Sequence, residues 1–477
     1  MRILLTGVTG YIGQRLLPVL AKDGHHLVCC VRDAKRFDVP QNIADQVSVI
    51  EVDFLKAETL TKIPTDIDGA YYLIHSMSGN DDFSSLELQC ATNFREAVAT
   101  TNLQQVIYLS GIVNDDSLSK HLASRKAVED ELSKGNYELT TLRAGIIIGS
   151  GSASFEIMRD LAEKLPVMIA PKWLKTRCQP IGIRDVIDFL WKSLLDERTY
   201  GQSFDIGGPD VLNYKEMLLG YAKVRGFKRY IFTVPVMTPR LSSYWLYFIT
   251  STSYPLAVAL VNSMKIEVVA KDNRLSELLG IEPLPYQVAL ERTFQKIQKN
   301  EIISSWTDAL SSGLLDNNFS DYINVPTYGC FVDKRTRAVK EPQKALDRIW
   351  QIGGQTGWYY GDWLWKIRGY LDKLAGGVGL RRGRTHHDQL SVGDALDFWR
   401  VLYADKEEGR LMLFAEMLLP GEAWLEFNLK EGKLVQTATF RPKGIWGRLY
   451  WYTVLPFHGF IFNGMIDALA GTNSEGL

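Results

Sequence analysis

Gly7, Gly10 and Gly13 are spaced G-x-x-G-x-x-G directly after the apolar run Ile3-Leu4-Leu5, and apolar residues then recur at helical intervals through Leu16, Leu17 and Leu20. A strand, a tight loop and a helix in that order make a phosphate cradle. The first glycine turns the chain off the strand, the second leaves bare backbone for a pyrophosphate, and the third lets the helix pack closely on the sheet. The amides that open the helix then face the anion. Thr6, Thr9, Tyr11 and Ile12 share this loop and are expected to contact the same dinucleotide. Five further positions follow from that reading. Arg32 and Asp33 end the second apolar run, Leu27–Val31, where a guanidinium would pair with a 2′-phosphate and a carboxylate would accept a 2′-hydroxyl. Arg32 comes first, which favours NADP, and Asp33 keeps NAD open. Asp53 and Phe54 end the third run and are candidates to meet the adenine. His75 ends the fourth, near the nicotinamide half, and is either a cofactor or substrate contact or a loop histidine with no role.

Such a loop works only on a sheet whose strands alternate with helices. Val47–Val52, Gly69–Ile74 and Val106–Gly111 read as further strands, with a helix over Glu87–Thr100. This spacing implies right-handed parallel crossovers and an α/β, doubly wound Rossmann sheet. Beyond Gly151 a helix opens after Ser152, residues 171–181 read as a loop, and another helix begins at Arg184.

The opening Thr-Gly-Val-Thr-Gly-Tyr-Ile-Gly, the strand ending Tyr108-Leu109-Ser110-Gly111, Leu142–Gly149 and Ser203–Pro209 together resemble the extended and atypical short-chain dehydrogenase/reductase superfamily over residues 1 to about 300. The resemblance implies an NAD(P) cofactor, a small substrate lobe built from the segments after Gly151 together with Leu212–Phe294, and hydride chemistry by a Ser, Tyr-x-x-x-Lys set. The sequence departs from that set. Aligning Glu129 with the family's downstream glutamate puts His121 at the tyrosine position and Arg125 at the lysine position, with Lys126 one residue late. Ser110 lies near the serine position, for which Gly111 and Ile112 are alternatives. An imidazole can exchange a proton near neutral pH, so His121 is a candidate general acid, while Arg125 can hold a ribose or phosphate but cannot deprotonate. The implied activity is hydride transfer between NADP(H) and a small carbonyl or alcohol. The alternative is a catalytically degenerate, NADP(H)-responsive regulatory or assembly protein.

Residues 301–324 read as a linker, after which eight of the twelve tryptophans fall between Trp350 and Trp451. Leu411–Met417, Ala423–Leu429 and Leu434–Phe440 alternate with turn residues as an antiparallel meander. Trp446–Leu469 follows as a long apolar helix, expected to be interrupted at Pro456. A curved meander over a long helix predicts an α+β, helix-grip-like domain over 325–477 that encloses an unknown, hydrophobic small molecule. Gly353–Tyr359, Leu380–Arg384 and Pro420–Leu425 resemble an uncharacterised domain (DUF2867) fused behind atypical short-chain dehydrogenases in bacteria, which identifies architecture and not chemistry. Arg381, Arg382 and Arg384 are either an anion clamp or a solvated basic loop. His386-His387-Asp388 lack distant partners for a metal.

A net charge of −1 leaves no electrostatic footprint for nucleic acid. Five cysteines without pairing or metal spacing read as reduced thiols of a cytoplasmic protein. No signal peptide is expected, and Tyr244–Val261, broken by Thr-Ser-Thr-Ser and Pro255, reads as a buried or lid helix pair rather than a membrane contact.

Overall fold

The computed structural model describes residues 1–471 apart from 35–36, 38, 76–82, 115–119, 151, 235–242, 244–245, 247–253, 299–324, 326–329, 376, 378 and 380–389. The expected linker and the arginine and histidine clusters at 381–388 lie outside those residues, as does the side chain of His121. The chain divides into two compact units, Met1–Ala309 and Leu310–Leu477.

In the first unit β1 (Arg2–Leu5), β2 (His26–Val31), β3 (Val47–Glu51), β4 (Gly69–Tyr72), β5 (Gln105–Gly111), β6 (Glu138–Ala144) and β7 (Ser203–Ile206) form one parallel sheet of order β7-β6-β5-β4-β1-β2-β3. Both faces of its inner strands β1, β2 and β4 are buried, as a parallel sheet between two helical layers requires, while the edge strand β3 is half-buried. Ile3, Leu5 and Cys29 pack with α1 (Gly13–Lys22) on one side, while Leu4, Val28 and Tyr72 pack with α2 (Phe83–Val98) and α3 (Lys120–Leu132) on the other. Strand order reverses between β1 and β4, and ligands of such sheets bind at the carboxyl ends of strands at that point.

A lobe with its own core follows. In it α4 (Ala153–Lys164), capped by the Ser152 hydroxyl at 3.2 Å from the Phe155 amide, packs with α6 (Tyr214–Val224) and α7 (Tyr286–Gln298). The intervening α5 (Ile183–Lys192) returns to the main sheet. The stretch expected as a loop over 171–181 instead carries a short 3₁₀ turn, Lys172–Lys175, and a two-residue strand, Arg177–Cys178, antiparallel to Leu212–Asn213. Of Tyr244–Val261, the described part includes the helix Tyr254–Ser263, whose Ala257 and Val261 are buried in the lobe core.

The second unit is an antiparallel sheet of β8 (Phe331–Ala338), β9 (Ala395–Leu396), β10 (Trp399–Asp405), β11 (Arg410–Ala415), β12 (Gly421–Lys430) and β13 (Lys433–Pro442), in the order β8-β13-β12-β11-β10-β9. Helices α8 (Pro342–Trp350), α9 (Asp362–Leu374) and α10 (Gly444–Ala470) contribute to one core with it. Contrary to expectation, α10 is not interrupted at Pro456. The proline faces solvent, so the backbone bond it forfeits lies on the outer side, while Trp451, Phe462 and Met465 anchor the inner side. Among the described residues no helix is long and apolar enough to cross a membrane, no cluster of metal-ligating side chains occurs, and all five cysteines are free.

Candidate functional site

At the end of β1 the chain turns through Gly7 in a left-handed conformation, φ +65°. A β-carbon there would stand 2.5 Å from the Leu73 carbonyl oxygen, and one at Gly13 would stand 2.4 Å from that of Gly7. Gly10 is less confined, its nearest atom 3.1 Å away, and its amide closes the turn onto Gly7 O at 3.0 Å. The helix then begins with Ile12 at its N-cap and no side-chain cap, so its first amides are not satisfied by a side chain. This is a backbone cradle at the positive end of a helix, and its residues fit a pyrophosphate.

Around it, the other expected contacts fall into three groups. Thr6 is buried and serves the sheet: its Oγ1 donates to Tyr71 O at 2.9 Å and accepts from Leu73 N at 3.1 Å, tying β1 to β4. Thr9 is exposed at the loop crest. The Tyr11 ring lies beneath the Arg15 guanidinium, 4.0 Å from its centre, and Arg15 donates to Ser150 O at 2.9 Å, which seats the loop against the segment after β6.

Arg32 is exposed at the end of β2 and has no carboxylate ion partner among the described residues. Arg32 and Asp53 are both close enough to Cys90 to act on its thiol, which burial pushes up to about 12. Arg32 thus stands at the end of β2 and Asp53 just beyond the end of β3, the neighbouring strand. Phe54 does not join them; its ring is buried against Phe94, 5.8 Å away, in the core.

At the carboxyl ends of β4 and β5 a second group assembles. His75 Nδ1 lies 2.7 Å from Glu87 Oε1, and the other Glu87 oxygen accepts from Ser124 Oγ at 2.5 Å. Glu87, on α2, and Ser124, on α3, are buried. Burial, and next to it the Arg125 charge, hold the His75 imidazole below its ordinary range, with Glu87 pulling the other way. Arg125 also flanks Gly111: a β-carbon there would lie 3.7 Å from its guanidinium. Ser110 is buried on β5, beside a Tyr108 phenol that burial pushes up to about 12 against the pull of Arg125 and Ser110.

The register of α3 decides which of its residues reach this group. Glu129 is locked to Arg143 on β6 by two hydrogen bonds, of 3.2 and 2.6 Å, and accepts from Ser203 on β7 at 2.9 Å. Residues four apart share a helix face, so Arg125 and the backbone position of His121 follow Glu129 toward the sheet. Lys126 does not, and pairs with Asp130 at the surface.

Residues 7–162 match the NAD(P)H-binding family, and residues 329–465 match the family described as a protein of unknown function (DUF2867). Among solved structures, a triphenylmethane reductase from Citrobacter sp. is similar with a TM-score of 0.52 at 17% identity, over 62% of this chain and 100% of that one. The same reductase complexed with NADP(H) gives 0.51 at 15% identity, over 61% and 100%. A nucleoside-diphosphate-sugar epimerase from Staphylococcus aureus gives 0.51 at 17% identity, over 61% and 100%. At such identities the likeness is one of fold. No curated protein matches the sequence. The chain thus joins an N-terminal NAD(P)-binding domain, whose fold is like that of these reductase and epimerase structures, to a C-terminal DUF2867 domain.

Proposed function

We propose that the first unit is an oxidoreductase that binds NADP(H) across the carboxyl ends of β1, β2, β4 and β5 and moves hydride between it and a small carbonyl or alcohol. The observation that carries this reading is the loop at Gly7 and Gly13, closed to any side chain and open to an anion. Arg32, exposed and without a carboxylate partner among the described residues, favours the 2′-phosphate. Bound there, the dinucleotide supplies the hydride.

The chain's own task is the proton. With Glu87 ionised, His75 donates from Nδ1, which fixes its tautomer and makes the imidazole at the ends of β4 and β5 a candidate to carry the proton of an alcohol. The imidazole that takes this proton returns it when the carbonyl is reduced, and His121, on the first turn of α3, is the alternative carrier of that same proton. Arg125 supplies a fixed positive charge beside both strand ends.

One observation favours the second reading, a protein that binds the cofactor and responds to it without turnover: the lysine of α3 faces solvent, and the residue that follows the helix face is an arginine. Calorimetric titration of the full chain with all four nicotinamide dinucleotides tests both readings. NADPH is expected to bind about tenfold or more tighter than NADH, and Arg32→Ala to erase the difference. Heat from none of the four would end both readings. Tight binding without oxidation of NADPH across a broad carbonyl panel would leave only the second.

A further inference from the structure

Helices α9 and α10 carry apolar side chains outward as well as inward. On α9, Trp363, Ile367, Tyr370 and Leu374 fall at helical spacing and are 49 to 61% exposed, while Trp365 and Gly369 face the core. On α10, Trp446, Leu449, Tyr452, Phe457 and Phe460 are 53 to 76% exposed, while Trp451, Phe462 and Met465 are buried. The Tyr360 and Phe460 rings, 5.0 Å apart, continue the patch. A helix that is apolar on both sides belongs in a medium that is apolar on both sides, and apolar patches of this kind mark an interaction face.

A cavity of about 280 Å³ lies between these helices and the sheet. Trp365, Trp399, Trp424 and Trp451 line its depth, and Ile367, Leu371 and Phe457, each about half exposed, line it as well, so it opens between α9 and α10 onto the apolar face. Arg368 lines the cavity, but its guanidinium donates to Leu418 O at 3.0 Å and lies 3.6 Å from Asp372. His458 also lines it, and burial, opposed by Asp333 and reinforced by Arg335, pushes its imidazole down to about 4, so it is neutral at pH 7. An anionic head group would therefore find no free cation inside.

Along α10 the exposed charge is one-sided. Lys366, Lys443 and Arg448 are exposed and have no carboxylate partner among the described residues, and no Asp or Glu occurs from Lys443 to Asn463. Aromatic rings between basic side chains are the composition of a helix that lies in an anionic lipid interface rather than spanning it.

We propose that the second unit docks on an anionic bilayer through the outward stripes of α9 and α10, which sets the cavity mouth against the hydrocarbon and admits one uncharged, lipid-dissolved molecule. The proposal is independent of the cofactor reading, and each can fail alone.

Flotation of the full chain with vesicles of phosphatidylcholine, with and without phosphatidylglycerol, tests the docking. The chain is expected to float with anionic vesicles at low salt. The pair Trp446→Glu and Tyr452→Glu should lower the floated fraction about tenfold, and Lys443→Glu with Arg448→Glu should erase the preference for phosphatidylglycerol, both with unchanged circular dichroism. No floated protein, flotation unaffected by the aromatic pair, or a dimer in solution that the pair splits without any vesicle binding would overturn the docking. For the cavity the probe is N-phenyl-1-naphthylamine, which should brighten saturably and be displaced by 1-decanol but not by decanoate. Val454→Trp, which fills the cavity from α10, should abolish the brightening. If that variant does not fold, the decanol and decanoate competition decides alone: no saturable brightening, or equal competition, refutes the site.

Discussion

Gly13 tolerates no β-carbon because the atoms it would strike are backbone, Gly7 O and Val8 Cα, which cannot swing away as a side chain would. Gly13→Ala should therefore weaken NADPH binding about 100-fold, roughly 3 kcal/mol, while the far-ultraviolet spectrum stays unchanged, and calorimetry on the variant reads it directly. A glycine confined in this way leaves a trace in the sequence, since the residue type itself records the contact. The group around His75 leaves none. Glu87 is one carboxylate among many on an amphipathic helix, and only the packing of α2 against α3 turns it and Ser124 toward His75. Phe54 shows the opposite error: a residue at a strand end, aromatic and well placed on paper, whose ring is taken by the core. The His75 cluster carries its own test. Since the Arg125 charge lowers the imidazole pKa and Glu87 raises it, Glu87→Gln should move the His75 titration down and Arg125→Gln should move it up. Histidine proton chemical shifts followed against pH measure both, and a rise in Glu87→Gln would contradict the arrangement.

Elements were legible to the extent that their burial is one-sided or complete. The strands of the parallel sheet and β11 announce themselves as apolar runs, and β12 and β13 as mixed apolar and polar runs bounded by turn residues. Strand β8 reads Phe-Val-Asp-Lys-Arg-Thr-Arg-Ala, and its half-buried side includes Asp333 and Arg335, paired with each other at 2.8 Å, the arginine reaching Gly459 O on α10 at 3.3 Å. A face held by ions has no apolar period to detect. Strand β10 hides behind a similar device: Arg400 is fully buried, donates to both oxygens of Glu416 at 3.1 and 3.2 Å, and reaches Gly393 O at 2.8 Å. Such a pair adds little net stability over a hydrophobic one, yet breaking it leaves a buried charge uncompensated. Glu416→Gln should accordingly destabilise this unit by about 3 kcal/mol or more in urea unfolding, and Arg400→Met combined with Glu416→Leu should recover most of the loss. If the single substitution costs as little as a surface change, water must reach the pair and the burial described here is wrong.

At the scale of the whole chain, two units with separate cores should respond to separate levers. A ligand that binds one folded unit stabilises it by mass action, about 2.7 kcal/mol at a hundredfold excess over its dissociation constant, and leaves the other untouched. Scanning calorimetry of the full chain is expected to show two transitions, with NADPH raising only the one that Gly13→Ala makes insensitive. Acid acts on both units, on the first through His75 and on the second through His458, and the second is the one a single substitution at His458 singles out. The His458 pKa of about 4 lies below the unfolded value near 6.5, so between those limits the unfolded state takes up the proton more readily. The stability it protects is complete above about pH 6.5 and falls as pH drops through that window, the loss reaching roughly 3 kcal/mol by pH 4. His458→Phe should flatten the acid slope of the second transition and leave the NADPH-sensitive one alone. A single transition that NADPH and His458→Phe move together would show instead that the two units unfold as one body, and the assignment of these two levers to separate cores would have to be abandoned.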